Sequence, residues 1–92
     1  MKPITHDRAA RLLPHPAWWF ICERQRIKGL EKWGRTVEQA DLPAPQWAAH
    51  GIEEAADGAV YALRVSDAGH PIRGRLAAFL FALAARVLLP LR

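Results

Sequence analysis

Apolar and polar positions recur with a helical period along most of the chain, most clearly over residues 47–64, WAAHGIEEAADGAVYALR. At about 100° per residue, Ala48, Ile52, Ala55, Ala56, Ala59 and Leu63 gather on one side. His50, Glu53, Glu54, Asp57, Tyr61 and Arg64 gather on the opposite side. The pattern predicts an amphipathic helix over 45–65 with Pro45 near its start. Gly58 lies inside it, where glycine costs about 1 kcal/mol relative to alanine, and close approach of a second helix would explain its place.

The same reading extends outwards. Residues 6–13 (HDRAARLL) predict a short helix ended by Pro14 and Pro16. Pro16 suits the first turn of a helix over 17–33, apolar almost all round its first half and polar in its second. Gly29 either interrupts this helix or is passed through, and Gly34 caps it. Residues 34–45 read as a loop, long enough to suggest a substrate-covering segment and equally readable as a connection pinned by Val37 and Leu42. Residues 66–71 (SDAGHP) form a turn, and a third main helix runs over 72–89. Alanines and large apolar residues alternate irregularly around this last helix, which suits burial on more than one side. No segment alternates with period two. The prediction is one all-α domain over 1–92, a small bundle of three main helices plus the short first one, completed by dimerisation.

Composition adjusts this picture only slightly. Ninety-two residues, 51% hydrophobic and 24% charged, suit a folded domain with a small core, so a second copy is expected to complete it. The single Cys22 excludes an intrachain disulfide and fits a reducing, cytoplasmic setting. The net charge of +4 is scattered, and a nucleic-acid partner is not expected. Residues 1–13 carry Asp7 and several arginines without an apolar stretch behind them, so no leader is expected. Residues 76–91 are very apolar but short for a span and contain Arg86, so a buried or dimer-facing helix is expected, with a membrane-associated tail as the alternative. Trp18 and Trp19 read as core anchors, with base stacking as the other use of their rings.

The segment His50-x-x-Glu53-Glu54-x-x-Asp57 is the candidate chemistry. Like charges at i,i+3 and i,i+4 repel, and a hard cation converts that cost into a gain. Mg²⁺ or Mn²⁺ fits the oxygen donors better than Zn²⁺, which would want more histidine or a thiolate. The plainer reading is a solvated acidic stripe, with His50 as a hydrogen-bonded structural histidine.

The run Lys28-Gly29-Leu30-Glu31-Lys32-Trp33-Gly34-Arg35-Thr36, followed by Ala40-Asp41-Leu42 and then Trp47, His50, Glu53-Glu54, Asp57 and Tyr61, resembles small phage-type MazG-like proteins. The resemblance covers about residues 23–65. It implies an all-α, often dimeric nucleoside triphosphate pyrophosphohydrolase, which cleaves between the α- and β-phosphates and releases a monophosphate and pyrophosphate. Its metal site would join an EExxE helix to an ExxD helix. This chain has the ExxD as Glu54-x-x-Asp57, preceded by Glu53, and no EExxE; Glu23 is the best-placed single helical acid ahead of it. Glu53, Glu54 and Asp57 are then the catalytic and metal-holding residues, with Glu23 as a further ligand. One of the two glutamates could instead orient the attacking water. Lys28, Lys32, Arg35, Trp47, His50 and Tyr61 are the nucleotide contacts. The missing acids either come from a second copy or mark a binding-only relative. The alternative function is a non-catalytic interaction module that binds or inhibits a host protein complex.

Overall fold

The computed structural model describes residues 5–34 and 41–92, with Trp33 described by its backbone alone. The chain is all-α, and no strand occurs among the described residues. Among the described residues four helices follow one another: α1 Thr5–Ala10, α2 Pro16–Trp33, α3 Ala44–Asp67 and α4 Pro71–Leu88, with a 3-10 turn at Leu89–Leu91. The backbone falls into two units, Met1–Asp41 and Leu42–Arg92.

In the first unit a short helix meets a long one. Helix α1 ends at Ala10, earlier than the pattern over 6–13 suggests, because the chain turns before Pro14. The indole N–H of Trp18 donates to the Ala9 carbonyl at 2.9 Å, and that of Trp19 to the Leu13 carbonyl at 2.8 Å. Trp18 thus clasps the end of α1 and Trp19 the turn that follows it, each through its polar edge. Trp19 remains 48% exposed, which corrects the expectation of a buried anchor at that position. His15 caps α2, its Nδ1 accepting from the Ala17 backbone N–H at 3.1 Å, and Pro16 fills the first turn. Gly29 does not interrupt α2. Gly34 ends it in the left-handed region at φ 69°, its N–H donating to the Leu30 carbonyl at 2.8 Å. The residues 35–40 of the expected loop lie outside the described ones.

The second unit is a helical hairpin. Helix α3 ends in a turn through Gly69 at φ 110°, and the His70 N–H closes it onto the Val65 carbonyl at 3.2 Å. Pro71 then opens α4. The two helices meet along small residues: Ala48, Ala55 and Ala62 are buried on α3, and Gly74 and Ala78 on α4. A methyl group added at Gly74 would stand 2.6 Å from the Ala62 carbonyl oxygen and 2.7 Å from Ser66 Cα, so the backbones nearly touch there. Gly58 faces the Phe81 ring and Gly51 faces Leu88.

Two expectations change at this seam. The packed side of α3 is turned towards Gly51, Gly58 and Ala62, leaving Ala56 exposed and Leu63 49% exposed. Helices can approach closely only where side chains are small, so volume selects the contact line over hydrophobicity. Helix α4, expected to be buried on several sides, packs through one side within this chain. Ile72, Leu76, Phe79, Leu83 and Val87 remain exposed.

Candidate functional site

The side of α3 turned away from α4 carries the residues that the sequence singles out. His50, Glu53, Glu54, Asp57, Tyr61 and Arg64 are all exposed along it. They sit there because the alanine and glycine positions between them are taken by the seam. At the helical period Glu53 and Asp57 form one line, and Trp47, Glu54 and Tyr61 a neighbouring one, with His50 between them. The Trp47 and His50 rings lie 6.1 Å apart at 58°, and Trp47 is 38% exposed. Tyr61 is 70% exposed. At the far end, Arg64 pairs with Asp67 at 3.6 Å.

This face is convex, so carboxylates on one helix spread as they leave the backbone. Among the described residues, no group of three or more His, Cys, Asp or Glu is arranged to hold a metal ion. One helix of this kind offers a cation one or two carboxylates at a time. A hard octahedral cation would take its remaining oxygens from water, from phosphates or from another chain.

The other candidates belong to the first unit, on α2. Glu23 is engaged by Arg26, whose Nε and Nη2 both donate to its carboxylate, the closest contact being 2.6 Å. The hydrogen bond from Arg26 is the main cause that holds the Glu23 carboxyl below its ordinary range, and the same bond raises the Arg26 guanidinium. Lys28 and Lys32 follow one turn apart, both exposed. Arg35 lies outside the described residues.

Two features went unassigned in the sequence. An open hollow of about 390 Å³ in the first unit is lined by Asp7, Ala10, Arg11, Leu13, Pro14 and Trp19. Only the turn before Pro14 hinted at it. The outward row of α4 was legible as apolar, but its exposure was not. Comparison with known proteins gives no matching family model, no similar curated protein and no similar solved structure.

Proposed function

We propose that the chain is a MazG-like protein of the nucleoside triphosphate pyrophosphohydrolase type, and that the outward face of α3 receives a Mg²⁺-bound triphosphate. The observation that carries this reading is the exposure of Glu53, Glu54, Asp57, His50 and Tyr61 along one helix, away from the seam, with exposed Trp47 at its edge. Mg²⁺ characteristically binds through one or two carboxylates plus substrate phosphates, which is what a single acidic helix can provide. Glu53, Glu54 and Asp57 would hold the cation together with the nucleotide, and the ion would supply charge neutralisation for the triphosphate. Glu53 or Glu54 orients the attacking water. Trp47 offers its ring to the base, and His50 and Tyr61 offer hydrogen bonds to sugar or phosphate. A second copy supplies further carboxylates, in the manner of the dimers that the resemblance implies. The free thiol of Cys22 suits a cytoplasmic setting.

The test is calorimetry with Mg²⁺ alone, with a non-hydrolysable nucleoside triphosphate alone, and with both, followed by assay of pyrophosphate release. The expected result is strong binding only when both are present, lost in Glu54→Ala and Asp57→Ala. Absence of nucleotide binding both with and without Mg²⁺ overturns the reading.

One observation favours a second reading. Leu12, Phe20 and Ile21 of the first unit are 76%, 64% and 49% exposed, as in a module that docks on another protein. Capture of a protein partner that survives loss of all three carboxylates of α3, with no pyrophosphate release by the parent, would select this non-catalytic role.

A further inference from the structure

The most apolar 18-residue stretch within Pro71–Leu91 has a mean hydropathy of 1.7, yet only 11% of it is buried. The inner side of α4, with Gly74 and Ala78, is taken by the seam. On the outer side, Ile72, Leu76, Phe79, Leu83 and Val87 are 81%, 58%, 62%, 47% and 68% exposed. At the helical period these five fall within about 80° of arc, a continuous row along the whole helix. A row of this kind marks an interaction surface.

Charge indicates what covers it. Residues 71–92 contain Arg73, Arg75, Arg86 and Arg92 and no acid. Arg75 and Arg86 flank the row on the same side, at its two ends. If two copies paired antiparallel along this row, like flanks would meet, and Arg75 would oppose Arg86 of the second copy. Helix pairs place opposite charges at those edges, so the arrangement disfavours a second copy here. An anionic lipid surface satisfies both features, taking the apolar row at the acyl boundary and the guanidinium groups among the phosphates.

We propose that the outer face of α4 lies on an anionic bilayer surface. At about 1.5 Å per residue the stretch is long enough to cross the hydrocarbon core. Crossing is opposed by α3, which packs along α4 and would carry Glu53, Glu54 and Asp57 into the bilayer. The hairpin lies on the membrane instead. The acidic face of α3 then points away from lipid, so this surface is independent of the nucleotide reading.

The test is co-sedimentation of the whole chain with phosphatidylcholine vesicles, with and without phosphatidylglycerol. The expected result is binding only where phosphatidylglycerol is present, weakening with salt. Arg75→Gln/Arg86→Gln lowers partitioning about 25-fold. Leu76→Ser/Leu83→Ser, at exposed positions outside the seam, abolishes it while circular dichroism shows the helices retained, and Glu54→Ala leaves it unchanged. No binding to either vesicle, equal binding to both, or an unaltered Arg75→Gln/Arg86→Gln protein overturns the proposal. So does a lipid-free dimer that Leu76→Ser/Leu83→Ser dissociates, which would assign the face to a second copy.

Discussion

Gly74 of α4 lies against the backbone of Ser66, with no room between them for a methyl group. Because the obstacle is main chain, Gly74→Ala must push the helices apart. We expect a loss of about 1–3 kcal/mol, as for other overpacked sites. Gly58→Ala meets the Phe81 ring instead, and that ring, 40% exposed, can swing aside. Its clash is offset by the helix propensity that alanine gains, so its stability should stay within about 1 kcal/mol of the parent. Thermal unfolding of the two variants side by side checks the contrast. Equal losses would mean that the hairpin is not in contact as described.

Gly34 closes α2 from the left-handed region. A side chain there meets its own backbone rather than a neighbour, since nothing lies within 4 Å of the added carbon. Gly34→Ala should therefore cost about 1 kcal/mol by backbone strain alone. Gly34→Asn, which tolerates that region better, should cost less. The order of the two melting temperatures is the readout.

The Glu23–Arg26 pair gives α2 an acid-sensitive element. Arg26 lowers the Glu23 carboxyl in the folded chain. Its contribution is thus present above the unfolded carboxyl range and disappears as pH falls through the lowered value. Glu23 is exposed and Arg26 only half-buried, so the effect is small. Helicity of the parent should exceed that of Arg26→Gln at neutral pH and converge with it in acid. A constant difference across pH would show that Arg26 acts by packing alone.

Asp57 stands one turn from both Glu53 and Glu54. In metal-free protein Asp57→Asn removes two like-charge contacts and should raise stability by ~0.4–1 kcal/mol in sum. With Mg²⁺ and nucleotide present, the same change should lower stability relative to the parent, because ligand linkage is lost. Melting curves with and without ligand give the two signs. The same sign in both conditions would remove Asp57 from the site.

Much of the fold was legible from a few signals. Pro16, Gly34 and the Gly69–Pro71 turn act locally, so the starts and ends of α2, α3 and α4 fell within one or two residues of expectation. The acidic face of α3 was legible because its charges repeat every third or fourth position. The seam was less so. Hydrophobic scales rank Leu63 and Ala56 above Gly51 and Gly58, whereas contact between backbones selects the smallest residues. Trp19 misled for a related reason: its ring is apolar, but its N–H is tied to the Leu13 carbonyl at the surface. The exposure of the outer row of α4 depends on what does not pack there, which no local pattern encodes.

Only residues 68–70 separate α3 from α4. Every contact along the seam is therefore made between segments joined by one tight turn, and closing that turn costs little chain entropy. Low contact order of this kind gives rapid folding, in the microsecond to millisecond range typical of helical hairpins and bundles. A hairpin that zips outwards from Gly69 would form Gly74 against Ser66 early and Gly51 against Leu88 late. Gly74→Ala should then slow folding, while changes at Gly51 should mainly hasten unfolding.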